Sequence, residues 1–164
     1  MKILVCGLPG SGKTWLAERL LKHISNCAWY NADFVRKSSN DWDFSKEGRI
    51  RQANRMRTFA DFERSNGRWV ICDFVAPTEK AREAFAPDYV IWLDTIKEGR
   101  VVASKLSALK NIENLPFDAN SLSQSKEFED TNKVFERPSK IDDHITHFMS
   151  DDEIKKLAEE TMNV

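Results

Sequence analysis

The sequence predicts a three-layer α/β fold, in which a parallel sheet of about five strands is flanked by helices. Two observations predict this class. Short apolar runs alternate along the chain with longer segments whose apolar residues recur at helical spacing. The runs are apolar at nearly every position, which is typical of parallel strands that are buried on both faces. In such sheets a ligand lies at the carboxyl ends of the strands.

Five apolar runs are predicted as strands. They are Ile3–Cys6, CAWYN at 27–31, RWVICDF at 68–74, DYVIWLD at 88–94 and KIDDHITHF at 140–148. The segments between them predict helices: one after residue 14, a long one from Ser45 to about Ser65 that Gly67 ends, a short one from Thr78 to about Phe85, and a last one that a capping box of Ser150 and Glu153 begins.

Residues 96–139 do not fit this alternation, because they are polar, weakly periodic and rich in Asn, Ser and Lys. A long irregular insertion beside a ligand site is typical of a lid segment. The 164 residues, of which 41% are hydrophobic, suit one domain over 1–164.

Charge and cysteine content bound the partners and the compartment. A net charge of -1 and a pI near 6.3 argue against a nucleic-acid partner bound by bulk electrostatics. Cys6, Cys27 and Cys72 are odd in number and lie in apolar runs, so we expect buried thiols in a reducing compartment. No run has membrane-spanning length and a predicted strand begins at once, without a signal peptide, so we expect a cytoplasmic protein that does not bind a membrane.

The segment GLPGSGKT fits the pattern G-x-x-x-x-G-K-[ST], in which backbone N–H groups and a helix N-terminus surround a phosphate chain. Lys13 would reach the β- and γ-phosphates of ATP, and the Thr14 hydroxyl would bind Mg²⁺. The order of strand, loop and helix is the one this pattern requires, and it predicts a P-loop NTPase fold. The predicted ATP-binding residues are Gly7, Leu8, Pro9, Gly10, Ser11, Gly12, Lys13 and Thr14.

Asp33 and Arg36 follow the second predicted strand, where they would face the γ-phosphate. A carboxylate there can accept the proton of an attacking hydroxyl or hold Mg²⁺ through water, and a guanidinium can bind an anionic substrate. A helix cap for Asp33 and a solvated arginine for Arg36 remain alternatives.

The long predicted helix carries polar residues on its inward face. On a helical wheel, Arg49 and Gln52 lie on the side of the apolar residues Ala53, Met56 and Ala60, one turn earlier. We therefore expect Arg49 and Gln52 to contact substrate, with an ion pair as the alternative for Arg49. Arg51 and Arg55 lie largely opposite and are expected to be solvated.

Several segments together resemble the adenylylsulfate kinase (APS kinase) family. They are GLPGSGKTWLA, NADFVR, DFSKEGRIRQ, ICDFVAP, WLDT and KEFEDTNKVFERP, and they cover most of the chain up to about Pro138. The resemblance implies phosphoryl transfer from ATP, with Mg²⁺, to the 3′-hydroxyl of adenylylsulfate. It implies a catalytic role for Lys13 and Asp33, and substrate contacts by Arg36, Phe44, Arg49, Gln52, Phe74, Val75 and Phe128, of which Phe44 and Phe128 would sandwich the adenine.

The chain departs from the family at two metal-side positions. The family's first acid is Asn31 here, and Asp73 stands where a serine is usual. Asp73 ends an apolar strand, so we predict that it joins Thr14 and Asp33 in the Mg²⁺ shell, with a structural role as the alternative. The family's basic lid run is not recognisable, so a kinase with another acceptor hydroxyl and a non-catalytic ATP-binding module stay open, as does a homodimer.

Overall fold

The computed structural model describes residues 1–96 and 129–164. Its single sheet has the order β2-β3-β1-β4-β5, and every neighbouring pair of strands is parallel. The strands are β1 (Lys2–Gly7), β2 (Cys27–Asn31), β3 (Trp69–Asp73), β4 (Tyr89–Leu93) and β5 (Asp143–Ile145). The predicted five-stranded parallel sheet is confirmed.

Helices cover both faces of the sheet. They are α1 (Lys13–Leu21), α2 (Ala32–Ser39), α3 (Lys46–Ser65), α4 (Glu79–Phe85) and α5 (Asp151–Met162). Residues 129–134 are also helical, and they follow the part of the predicted lid, 97–128, that lies outside the described residues. No helix in the described ranges combines the length and the apolarity needed to cross a membrane.

Alternate residues of each strand enter two separate cores. On one face Ile3 and Val5 pack with residues of α1 and α5, such as Leu16 and Leu157. On the other face Leu4 packs with residues of α3 and α4. The apolar runs of the sequence are thus explained, because both faces of the central strands are covered.

Side-chain caps fix where the helices begin. The hydroxyls of Ser45 and Thr78 accept the N–H groups of Gly48 at 3.1 Å and Ala81 at 3.2 Å. Ser150 and Glu153 form the predicted capping box at the start of α5. Gly67, at a φ of +72°, ends α3 as predicted.

Three expectations about the edges of the sheet are wrong. Helix α2 was not among the predicted helices and starts directly after β2. Strand β5 has three residues rather than the nine of 140–148, because its partner β4 ends at Leu93, opposite Ile145, and before Asp143 the Asp142 carboxylate accepts the Val90 N–H at 2.7 Å. Cys27 is only half-buried because β2 is an edge strand, whereas Cys6 and Cys72 are buried.

Candidate active site

The phosphate loop, Gly7–Thr14, connects β1 to α1 at the carboxyl edge of the sheet. A Cβ atom at Gly7 would lie 2.5 Å from the Leu93 carbonyl oxygen, so this position excludes any side chain. Gly10 and Gly12 have φ angles of +84° and +98°, which only glycine adopts readily. Since α1 starts from Gly12 without a side-chain cap, its first N–H groups are available to an anion.

Two contacts hold the loop in its curved shape. The Lys13 Nζ donates to the Leu8 carbonyl oxygen at 2.9 Å, which bends the lysine back over the loop. The hydroxyl of Thr95, after β4, donates to the Ser11 carbonyl oxygen at 2.7 Å. The Ser11 hydroxyl itself is buried and has no hydrogen-bond partner among the described residues.

Thr14 and Asp73 meet at the end of the loop. The Thr14 Oγ1 donates to the Asp73 Oδ2 at 2.9 Å, and the Asn31 Nδ2 donates to the same oxygen at 2.9 Å. The other carboxylate oxygen accepts the indole N–H of Trp29 at 2.6 Å. Asn31 and Asp73 are register partners in β2 and β3, which explains why residues 42 positions apart meet here.

Asn31 performs two tasks at once. Its Oδ1 accepts the Phe34 N–H at 3.0 Å and caps α2, which leaves its NH₂ group directed at Thr14 and Asp73. Burial raises the pKa of Asp73, while the hydrogen bonds from Trp29, Thr14 and Asn31 oppose that rise. A carboxylate and a hydroxyl side by side are oxygen ligands of the kind that Mg²⁺ prefers.

A cavity of about 900 Å³ extends from the phosphate loop across the edge of the sheet. Most of the predicted site residues line it, and they come from separate parts of the chain. They are Pro9, Gly10, Gly12, Lys13, Thr14, Asp33, Arg36, Phe44, Arg49, Gln52, Asp73, Phe74 and Val75. Phe128 is outside the described residues, so its predicted place opposite Phe44 stays a prediction.

Asp33 and Arg36 lie on α2, one turn apart. Asp33 is exposed in the first turn of the helix and lines the cavity, whereas Arg36 is 4% exposed. The Arg36 Nη1 donates to the carbonyl oxygens of Asp41 at 2.9 Å and Asp43 at 3.1 Å, and its guanidinium stacks 4.4 Å from the centre of the Phe44 ring. Burial lowers the pKa of Arg36. The alternative of a solvated arginine is therefore wrong.

The inward face of α3 is as predicted. Gln52 is 3% exposed, and its Nε2 donates to the Ala32 carbonyl oxygen at 3.2 Å. Arg49 donates through Nε to the Phe44 carbonyl oxygen at 2.9 Å.

The prediction that Arg51 and Arg55 are solvated is only partly right. Arg51 is half-exposed and pairs with Asp41 at 2.7 Å. Arg55 is 23% exposed and binds both Asp41, at 2.9 Å, and the Gln52 Oε1, at 2.7 Å. The two arginines are less solvated than predicted because they pair with Asp41 and Asp43 in the α2–α3 connection. A helical wheel of α3 alone does not include these carboxylates.

The cavity is also lined by residues that were not predicted from the sequence, among them Trp15, Thr131 and Phe148. Trp15 lies on α1, Thr131 lies in the helical segment 129–134, and Phe148 precedes α5. The Phe148 ring packs on the phosphate loop, because a Cβ at Gly12 would lie 3.0 Å from it. In the sequence, Phe148 is marked only by its position two residues before the capping-box serine, Ser150.

Comparison with known proteins identifies the family. A family model described as an AAA domain matches residues 3–102, which is more than half of the chain. The chain belongs to this AAA domain family. The matched part of the AAA domain contains the phosphate loop, Asp73 and most of the cavity residues.

A curated relative of this AAA domain is a probable adenylyl-sulfate kinase from Aeropyrum pernix. The two are 35% identical over 85 residues, which cover 49% of this chain and 46% of the relative. The chain thus matches about half of the relative's length. The similarity agrees with the resemblance to APS kinases in the sequence.

Solved structures share the fold. An APS kinase of Mycobacterium tuberculosis, solved with AMPPNP and APS, has a TM-score of 0.64 and 21% identity, and the match covers 99% of this chain and 95% of that one. A sugar kinase from Janibacter sp. HTCC2649 has a TM-score of 0.66 and 17% identity, with coverage of 99% and 94%. The predicted three-layer P-loop fold is confirmed.

Proposed function

We propose that this chain, taken as one domain over 1–164, is an ATP-dependent phosphotransferase that phosphorylates the 3′-hydroxyl of adenylylsulfate. The observation that carries the proposal is that one continuous cavity is lined both by the phosphate loop and by cationic and aromatic side chains. The partial similarity to a probable adenylyl-sulfate kinase supports the choice of acceptor.

The donor end would hold the triphosphate of ATP. The N–H groups of the loop and of the first turn of α1 bind the phosphates, and Lys13 moves from the Leu8 carbonyl to the β- and γ-phosphates. Phe148 and Trp15 border this end of the cavity. Phe148 follows β5 at one edge of the sheet, whereas Asp33 follows β2 at the other edge. Stacking of the ATP base on one of these rings would leave the β2 side of the loop free for the acceptor.

The Thr14 hydroxyl and the Asp73 carboxylate are a donor set that fits Mg²⁺, and Asp33 lines the same cavity. When bound, Mg²⁺ would neutralise charge that develops on the phosphates. Trp29 and Asn31 would hold the Asp73 carboxylate in place, since each donates a hydrogen bond to it.

The acceptor end would bind the nucleotide that is phosphorylated. Asp33 accepts the proton of the attacking hydroxyl, and Arg36 and Arg49 contact the anionic phosphosulfate linkage. Phe44, whose ring already lies against Arg36, stacks on the adenine, with Phe128 on the other side. Gln52 and the Phe74–Val75 segment close this end.

A second acceptor class is a hydroxyl of another small metabolite. The observation that favours it is the pair Asn31 and Asp73, which differs from the acid and serine usual in APS kinases. Structural neighbours include a sugar kinase and, at a TM-score of 0.52, a shikimate kinase from Acinetobacter baumannii. The phosphate loop would hold ATP in the same way with either acceptor.

An acceptor panel tests the proposal. The purified protein is incubated with γ-labelled ATP and Mg²⁺, together with adenylylsulfate, adenosine 5′-monophosphate, a sugar or shikimate in parallel reactions. We expect label in adenylylsulfate alone. Label in another compound would replace the acceptor, and release of label only as inorganic phosphate would contradict the kinase function. Free cysteines at all three positions suit the cytoplasmic location that we propose.

A further inference from the structure

Residues 131–139, the last part of the predicted lid segment, begin at the acceptor end of the cavity. We call residues 131–139 the strap. Thr131, at its start, lines the cavity and is 1% exposed. A polar side chain is seldom buried to this extent without a hydrogen bond.

The Thr131 hydroxyl meets Arg49. The Arg49 Nη2 donates to the Thr131 Oγ1 at 3.3 Å, and the Arg49 Nε donates to the Phe44 carbonyl oxygen at 2.9 Å. The Arg49 guanidinium is therefore held from two sides, by Phe44, which is 5 residues away in the sequence, and by Thr131, which is 82 residues away. A planar guanidinium held at two of its nitrogen atoms has a defined direction.

Two contacts bind the other end of the strap to the opposite wall. The Glu136 N–H donates to the carbonyl oxygen of Pro77 at 2.7 Å, and Pro77 lies two residues after Val75. Arg82 is 3% exposed and donates to the carbonyl oxygens of Glu136 at 2.7 Å and Ala76 at 2.5 Å.

A third contact fixes the end of the strap on α4. The backbone N–H of Ser139 donates to the carboxylate of Glu79 at 3.2 Å, and the same carboxylate accepts from Arg82 at 3.1 Å. The strap is thus anchored to α4 and to the loop after β3, and it reaches Arg49 from this fixed base.

We propose that Thr131 is a positioning residue for the acceptor: its hydroxyl sets the direction of Arg49 and so ties the α3 wall of the acceptor site to the strap. This inference rests on the proposed function, since it assumes that Arg49 contacts the acceptor. Thr131 does not contact the reacting atoms, and its effect passes through Arg49.

The test compares three variants of the full-length protein. Thr131→Val keeps the shape of the side chain and removes the hydroxyl, Thr131→Ser keeps the hydroxyl, and Asn132→Ala changes an exposed neighbour as a control. KM is measured separately for ATP and for the compound that the wild type phosphorylates, and the melting temperature is recorded for each variant.

We expect Thr131→Val to raise the acceptor KM about tenfold, as the loss of a hydrogen bond to a charged group predicts. The KM for ATP should stay within about twofold, and Thr131→Ser and Asn132→Ala should resemble the wild type. In an Arg49→Ala background, Thr131→Val should add no further increase, because the two residues act through one contact.

Several outcomes would overturn the inference: an unchanged acceptor KM in Thr131→Val, an equal rise in both KM values, or additive effects in the double variant. If Thr131→Val does not fold, Thr131→Ala replaces it in the single and the double variant, and an unchanged acceptor KM in Thr131→Ala would likewise overturn the inference. A wild type that phosphorylates none of the panel compounds contradicts the proposed function itself. An active wild type whose acceptor KM does not respond to Thr131→Val contradicts this inference alone.

Discussion

The two ends of the cavity are built in different ways. The phosphate end is built around one loop of consecutive residues, Gly7–Thr14, whose backbone N–H groups would bind the phosphates, and its shape depends on glycines at fixed positions. The acceptor end consists of side chains from α2, α3, the loop after β3 and the strap, and long-range hydrogen bonds hold them together.

We therefore expect each end to control a different property of the site. A backbone nest binds any phosphate chain, so the phosphate end would define the reaction class. The acceptor end depends on side chains from four segments, so its residues would define the substrate. Variants at the two ends should accordingly affect different kinetic constants.

Lys13→Ala should have the largest effect. Removal of a charge from the β- and γ-phosphates should cost about 4 kcal/mol or more in the transition state, which is roughly a thousandfold in kcat. The measurement is the steady-state rate with ATP and adenylylsulfate, and Lys156→Ala on the exposed face of α5 is the control. Retention of most of the activity in Lys13→Ala would contradict the kinase function.

Asp33→Asn should lower kcat by about a hundredfold, because the amide cannot accept the proton of the acceptor hydroxyl. The affinity for ATP, measured by calorimetry, should be nearly unchanged, since Asp33 lies on the acceptor side of the loop. The matched control is Asp152→Asn at the exposed start of α5. A normal kcat in Asp33→Asn would assign the proton transfer to another group.

Phe44→Ala should act on the acceptor alone. Loss of one stacking contact, worth about 1–3 kcal/mol, should raise the KM for adenylylsulfate roughly five- to a hundredfold and leave the KM for ATP unchanged. Arg49→Ala should raise the same constant selectively. Phe62→Ala, which removes a 65% exposed ring elsewhere on α3, is the control. An equal rise of the KM values for ATP and for adenylylsulfate would contradict the assignment of separate ends of the cavity to the two substrates.

Asp73→Asn should have the smallest of these effects at saturating metal. The variant keeps the size of the side chain and removes the charge beside Thr14, so the Mg²⁺ concentration for half-maximal rate should rise about tenfold. A titration of the initial rate with Mg²⁺ at fixed ATP measures it. A wild-type titration curve would give Asp73 the structural role of binding Trp29 and Asn31.

The sequence predicts the phosphate end and the sheet well for a physical reason. Both depend on patterns within short segments: the glycine spacing of the loop, the apolar runs of the strands and the caps of the helices. Helix α2 escaped prediction because it has only eight residues and Val35 is its only buried apolar residue, and the cap of Asn31 reveals it only in three dimensions.

The contacts between distant segments around the cavity could not be predicted from local patterns. The hydrogen bond of Trp29 to Asp73 joins residues 44 positions apart, and that of Arg49 to Thr131 joins residues 82 apart. Only the strand order and the path of the strap bring these side chains together. The half-exposure of Cys27 has the same origin, because an apolar run does not reveal which strand lies at the edge of the sheet.

The central claim is that the two ends act on ATP and on adenylylsulfate in one reaction. The most direct measurement is ³¹P NMR of the wild-type protein with ATP, Mg²⁺ and adenylylsulfate. We expect the γ-phosphate resonance of ATP to decrease while a phosphomonoester resonance appears, with coupling to the proton on the 3′ carbon of the acceptor. A phosphomonoester on a different hydroxyl, or inorganic phosphate as the sole new resonance, would contradict it.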